Sequence, residues 1–195
     1  MTGDPYEAFD DPYCYENTDV LKNRAGLRDQ ALLDDFELEM MNLRALEPLP
    51  EGVYDPAHYC AAHHHHFQDV YDWAGQYRTV RTFKGGNPFC FPEYIENEMA
   101  RLFGRLGDAS FLPGSARNDF IDAVTSFLAD LNVIHCFREG NGRTQLTFVH
   151  MLALRAGHSL VLERIERATF IPAMIESFDG ELANLRREIA NLVKA

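Results

Sequence analysis

Within "HCFREGNGRTQLTF", residues 135–148, His135, Glu139, Asn141 and Arg143 fall inside nine positions, with Gly140 and Gly142 between the polar groups. A base, an acid, bare backbone and a cation in so short a stretch suit the handling of an anion. The apolar run that follows has helical spacing, so the turn from Gly140 to Arg143 would present the free N–H groups of a helix N-terminus to phosphate oxygens. The Asn141 amide and the donor fork of Arg143 would add to that cradle. Glu139, at the mouth of the loop, can hold Mg²⁺ shared with a di- or triphosphate, and His135 stands as a base beside the anion. The set suits phosphoryl-type transfer, in which positioning and charge stabilisation dominate and a base takes the proton of an attacking hydroxyl. The blander alternative is a structural histidine beside a glycine loop, and residue types alone do not separate the two.

Elements must hold this loop, and the hydrophobic spacing predicts helices. Upstream, "NDFIDAVTSFLADLNVI" sets Phe120, Val124, Phe127, Leu128 and Leu131 on one wide apolar face, as in a central buried helix ending where the loop begins. Downstream, Leu146, Val149, Leu152 and Ala153 continue at helical spacing as far as Gly157, which suits a C-terminal cap. Nearer the start, Leu33, Phe36, Met40 and Leu43 predict an amphipathic helix over 28–46, broken by "EPLPEG", with the charges from Asp34 to Glu39 read as its solvated face. Thr18 or Asp19 reads as a cap for a following helix. Further helices are predicted over 56–71, 93–106, 167–178 and 181–193. The exception is "DWAGQYRTVRTFKGGNPFCF", where Tyr77, Val80 and Phe83 flank Gly85 and Gly86 and lead to Pro88, the pattern of a β-hairpin or flap.

Composition narrows the partners. The formal net charge of -12 argues against sequence-independent binding to nucleic acid or to anionic lipid. No signal peptide or membrane anchor is read, and Cys14, Cys60, Cys90 and Cys136 lack metal-ligand or disulfide spacing, so the expectation is reduced thiols in a cytoplasmic protein, or one exported as an effector without a classical signal peptide. His63, His64, His65 and His66 lie inside a helical pattern. Consecutive positions point about 100° apart on a helix, so no more than two could share a metal, and the tract reads as structural. Trp73 reads as a core anchor.

His-x-Phe-x-Glu-Gly-Asn-Gly-Arg, as His135 to Arg143, resembles the signature of the Fic-domain family (Fic/Doc superfamily), whose members mostly transfer AMP from ATP to a hydroxyl of a target protein. "DPYCYENTDVLKN", "FQDVYDWAGQYRTVR", "KGG" and "SFDGELANL" are also similar to segments of compact bacterial Fic proteins, so the likeness spans nearly the whole chain. It implies a mainly α Fic fold, a compact helical bundle with one β-hairpin flap. One domain over 1–195 is expected, with a core over about 56–180, an N-terminal helical segment over 1–50 and a C-terminal helix over 181–195. The implied activity is that of a protein adenylyltransferase, moving AMP from ATP to a Tyr, Thr or Ser hydroxyl, as a toxin or effector.

Carried over residue by residue, the resemblance makes His135 the general base and Phe137 the core anchor of the loop. Glu139 becomes the Mg²⁺ ligand. Gly140, Asn141 and Gly142 would form the anion hole, and Arg143, counted as catalytic, would neutralise the triphosphate. Gln145, with Lys84 and Gly85 at the flap tip, completes the nucleotide-binding set. The flap over 82–87 would clamp the target protein by strand addition.

Two departures stand out. Cys136 replaces the usual proline, which frees the backbone after His135 and sets an oxidisable thiol beside the base. Leu146 stands where the family commonly has a second arginine, one turn beyond Arg143 on the same helix face. A leucine cannot reach the phosphates. A weaker hold on the γ-phosphate, another pyrophosphate-linked donor, or a binding module with degenerate activity are the alternatives, and the intact base, acid and anion loop favour AMP transfer. The inhibitory Ser/Thr-x-x-x-Glu-Gly/Asn motif common in the family has no complete copy here, because Arg164 follows Ser159–Glu163 and Leu182 follows Ser177–Glu181. The expected inhibitor is therefore a helix supplied by a separate small antitoxin.

Overall fold

Asp29 starts the first helix: its side chain accepts from the Leu32 N–H at 3.1 Å, and α1 runs over Gln30–Arg44. In this computed structural model, which describes residues 11–84 and 87–194, six more helices follow among the described residues. They are α2 (Pro56–Phe67), α3 (Pro92–Phe103), α4 (Arg117–Ile134), α5 (Asn141–Ala156), α6 (Arg167–Glu176) and α7 (Ala183–Leu192). Each overlaps a stretch whose spacing predicts it, although α3 and α4 begin one residue before theirs and α2 stops four residues short. The first turn of α2 combines Pro56, whose missing N–H costs nothing there, with Asp55, which accepts from the His58 N–H at 2.8 Å. Gly157 closes α5 in the left-handed region (φ 87°), while the N–H groups of Gly157 and His158 donate back to Leu154 and Ala153.

The strand-like region is shorter than its sequence suggests. β1 (Phe83–Lys84) pairs antiparallel with β2 (Asn87–Pro88), in the register Phe83 opposite Pro88 and Lys84 opposite Asn87. Tyr77 and Val80 stay outside the ladder, whose last inter-strand bond runs from the Phe89 N–H to the Thr82 carbonyl at 3.1 Å. Thr18 caps no helix: its hydroxyl donates to the Tyr15 carbonyl and accepts from the Val20 N–H, closing a loop whose arms meet at Cys14 and Leu21. Among the described residues of the first fifty, helix is confined to α1.

The chain divides into two units, Met1–Glu96 with His135–Thr144, and Asn97–Ile134 with Gln145–Ala195. In the first, α1 packs on α2, and Val20, Leu21, Leu33, Phe67, Val70 and Tyr71 are buried together with Trp73 packed against them. In the second, α4 packs on α7, and Phe103, Phe111, Phe120, Phe127 and Phe148 meet largely edge to face. Arg117 there donates to the carbonyls of Ala190 and Val193, satisfying the end of α7. No helix among the described residues is long and apolar enough to cross a membrane.

Candidate active site

The first unit contains the charged loop entire, and its backbone is held in a conformation the residues would not choose alone. His135 has φ 48°, in the left-handed region where a side chain crowds its own peptide. Three contacts impose it. The imidazole stacks on Phe89 with centroids 3.8 Å apart, the His135 carbonyl accepts from Arg78 Nε at 2.7 Å, and the next carbonyl, of Cys136, accepts from the Arg78 N–H at 2.8 Å. Arg78 is itself buried, and its other two nitrogens donate to the Val80 and Cys90 carbonyls, each at 2.6 Å. One guanidinium thus joins the base to the chain on both sides of the β1–β2 pair.

Phe137 anchors the middle of the loop, fully buried between His63 (centroids 3.8 Å) and Tyr59 (5.4 Å). His63 is more than a packing surface. Its Nδ1 accepts from the Gly75 N–H at 2.8 Å, which fixes the tautomer, so Nε2 carries the proton and donates to the Glu139 carbonyl at 3.0 Å. Burial lowers its pKa to about 3, and it stays neutral. The neighbouring histidines work alike: His65 meets the Arg44 carbonyl at the end of α1, and His64 that of Ala74. His63, His64 and His65 are thus braces between backbone segments, and among the described residues no metal-holding cluster is found.

At the far end the loop becomes α5. Gly140 (φ 79°) must be glycine, because a Cβ there would lie 2.4 Å from the Phe67 ring. The Asn141 side chain is engaged by the loop itself, accepting from the Phe137 N–H at 3.0 Å and donating to its carbonyl at 2.7 Å. That corrects the expectation of a free amide for phosphate; Asn141 shapes the cradle and offers its backbone N–H. The first intrahelical bond comes from Thr144 to the Gly140 carbonyl, which leaves the N–H groups of Asn141, Gly142 and Arg143 at the open end of α5 without an intrahelical acceptor.

Arg143 is clamped between two carboxylates. Its Nη2 lies 3.3 Å from Glu139 Oε1, its Nη1 2.5 Å from Glu37 Oε2, and its guanidinium 4.7 Å from the centre of the Phe67 ring. Burial pulls the Arg143 pKa down, but the two carboxylates outweigh it and hold it above the ordinary value. Glu139 Oε1 also accepts from the Gly140 N–H at 2.8 Å, so among the described residues both protein contacts of that carboxylate fall on one oxygen. Its side chain is 35% exposed.

Glu37 overturns the reading of residues 34–39 as a solvated face: it is buried, and Tyr71 donates its hydroxyl to Oε1. The legible signal was its register, i+4 from Leu33 and so on the same face of α1. A second carboxylate, Asp11, pairs with Arg138 at 2.6 Å with both side chains buried. Cys136 is buried too, and burial raises its thiol pKa, which makes it an inert packing residue rather than an oxidation site. Gln145 is buried in α5, Lys84 lies in β1, and Gly85 falls outside the described residues.

Known proteins resemble this chain over most of its length. Residues 53–153 match the Fic/DOC family. The chain is 51% identical, over 96% of its length and 98% of the other's, to "Probable protein adenylyltransferase y4lH" of Sinorhizobium fredii. Among solved structures it resembles the VirB-translocated effector BepC of Bartonella tribocorum with bound AMPPNP, at a TM-score of 0.84 and 25% identity over 93% of this chain and 96% of that one. The N-terminal Fic domain of a Bep effector from Bartonella quintana with bound ADP gives a TM-score of 0.84 and 26% identity, over 93% and 94% of the two chains.

Proposed function

This chain belongs to the Fic/DOC family, and from that footing we propose that it is a protein adenylyltransferase, carrying AMP from ATP to a hydroxyl of a target protein. The observation that carries the reading is the joining of a base, an open helix N-terminus and a clamped arginine within His135–Thr144. In the reaction the target hydroxyl oxygen attacks the α-phosphorus, the bond to the α–β bridging oxygen breaks, and pyrophosphate leaves. His135 takes the hydroxyl proton. The N–H groups of Asn141, Gly142 and Arg143 hold the phosphate oxygens, and the Arg143 guanidinium offsets the negative charge.

Glu139 fits the remaining role. Mg²⁺ binds through one or two carboxylates together with substrate phosphates rather than in an all-protein cage. Oε2 of this half-exposed carboxylate has no protein partner among the described residues, and Glu139 would hold the ion there. When bound, Mg²⁺ supplies positive charge to the phosphates. The segment over 82–87 serves as the clamp on the target strand, and a small separate antitoxin is the proposed source of an inhibitory helix. Leu146 favours a second reading, transfer from another pyrophosphate-linked donor, since it removes the cation that would hold a γ-phosphate.

Incubation with ATP labelled on the α-phosphate and a bacterial lysate tests the proposal. Label on protein with wild type and none with His135→Ala is the expected result. Equal labelling by the variant would remove His135 from the mechanism.

A further inference from the structure

α1 has 15 residues, and only two of them, Leu33 and Glu37, are buried. The spacing i, i+4 puts both on one face, so a carboxylate occupies a position where a second leucine would complete the packing. Burying a carboxylate is costly unless both oxygens are satisfied, and an apolar residue in place of a buried ion pair is commonly neutral or better for stability. Stability alone therefore gives no reason for Glu37.

Its contacts give one. Oε1 accepts from Tyr71, a ring fixed in the core and stacked on Trp73 at 4.3 Å, while Oε2 accepts from Arg143. The carboxylate cannot swing without breaking the Tyr71 bond. Arg143 in turn has one nitrogen on Glu37 at 2.5 Å, a looser 3.3 Å approach to Glu139, and its flat face toward Phe67. About a third of its side chain stays exposed. Without Glu37 the nearest carboxylate left to the guanidinium is Glu139, four residues back on the loop, and pairing there would turn the arginine away from the open end of α5 and cover the carboxylate assigned to the cation.

We propose that Glu37 is a positioning residue for Arg143: α1, which lies outside the residues matched to the family, aims the arginine at the phosphates through the chain Tyr71, Glu37, Arg143. The proposal rests on the nucleotide-binding reading of the loop. It does not require that AMP be transferred.

The test is a double-mutant cycle on ATP binding by calorimetry, with Glu37→Gln, Arg143→Gln and both together, each checked for folding by thermal melting. If Glu37 acts through Arg143, Glu37→Gln weakens ATP binding about tenfold in the wild-type background, within the range for residues of one charge network, and has no further effect once Arg143 is replaced. Equal losses in both backgrounds would make Glu37 a structural residue and overturn the proposal. Tighter binding by Glu37→Gln would also overturn it, because Glu37 would then be masking Arg143. Should Glu37→Gln melt too low for titration, Tyr71→Phe removes only the hydroxyl that fixes the carboxylate. A smaller loss of ATP affinity, again absent without Arg143, is expected, and an unchanged affinity would refute the relay. A wild-type protein that binds ATP but labels nothing would defeat adenylyl transfer, while the cycle would still decide the role of Glu37.

Discussion

Arg78 and His135 are joined through the backbone: Nε of the arginine donates to the histidine carbonyl at 2.7 Å, while its other nitrogens hold the carbonyls of Val80 and Cys90. The left-handed conformation of His135 costs on the order of 1–3 kcal/mol and persists only where its surroundings over-determine it. Arg78 is the residue that does so. Arg78→Lys keeps the charge and loses the planar fork, so at most part of this geometry survives. The expected result is a kcat lower by on the order of 10²-fold, the effect of a small misplacement of a catalytic group, with KM for ATP nearly unchanged because the start of α5 is untouched. A variant whose kcat matched wild type would show that the base is oriented without Arg78.

Gly142 separates binding from folding. A Cβ built there meets nothing within 4 Å, and its φ is not in the left-handed region. The protein itself therefore accepts alanine, which in a helix stabilises by about 0.4–1 kcal/mol through the unfolded state. The space a methyl would fill is at the open end of α5, where phosphate oxygens must come within hydrogen-bond distance of the backbone. Gly142→Ala should raise the melting temperature slightly and weaken ATP binding, whereas Gly140→Ala, whose Cβ would strike Phe67, should lower the melting temperature. ATP affinity unchanged in a stable Gly142→Ala protein would place the phosphates elsewhere.

These contrasts show what a sequence carries and what it does not. The helices were legible because apolar residues repeat at 3.6, and the loop because its glycines and charges are contiguous. Glu37, Tyr71, Arg78 and His63 were not, for a common reason: each acts on the loop from 57 or more positions away in the chain, through a contact that only folding creates. Glu37 was read as solvated because a charge in an acidic run ordinarily is. Its i+4 relation to Leu33 pointed the other way, and pattern alone cannot say which charge on a helix has found a buried arginine. The histidine tract looks structural from its helical pattern, yet only the Gly75 and Glu139 contacts reveal that His63 braces the anion loop.

His63 also sets a pH dependence. Burial keeps it neutral down to about 3, against about 6.5 in the unfolded chain. Between those values the unfolded state binds a proton that the folded state does not, so stability rises with pH across the window and is lost as pH falls below about 6.5. At pH 5 the loss from His63 is about 2 kcal/mol, set by the 1.5 units below the unfolded value. Burial lowers His66 to about 4, which acts in the same direction. Burial raises Glu37, which acts in the opposite direction, its contribution being lost as pH rises. Melting temperatures at pH 7 and pH 5 should differ more for wild type than for His63→Gln. Equal differences in the two proteins would mean that His63 takes up a proton while folded.

Leu146 lies one helical turn beyond Arg143 in α5 and is only partly buried, whereas Val149 and Leu152, further along the helix, are fully so. A partly buried position lets an arginine lay its stem on apolar surface and carry its head to water or to a phosphate. Leu146→Arg should therefore fold, with a melting temperature close to wild type. The charge-assisted contact it adds is worth roughly 1.5–3 kcal/mol, or about 10- to 150-fold in ATP affinity. The gain should be larger for ATP than for ADP, because the added group extends the cationic side of α5 past the reach of Arg143 toward the γ-phosphate. Faster AMP transfer at low ATP would accompany it. Calorimetric titration of both nucleotides against both proteins measures the difference directly. A folded Leu146→Arg protein with no preference for ATP would count against an eroded γ-phosphate contact and would favour a donor that never carried that phosphate, since such a donor leaves a second arginine nothing to bind.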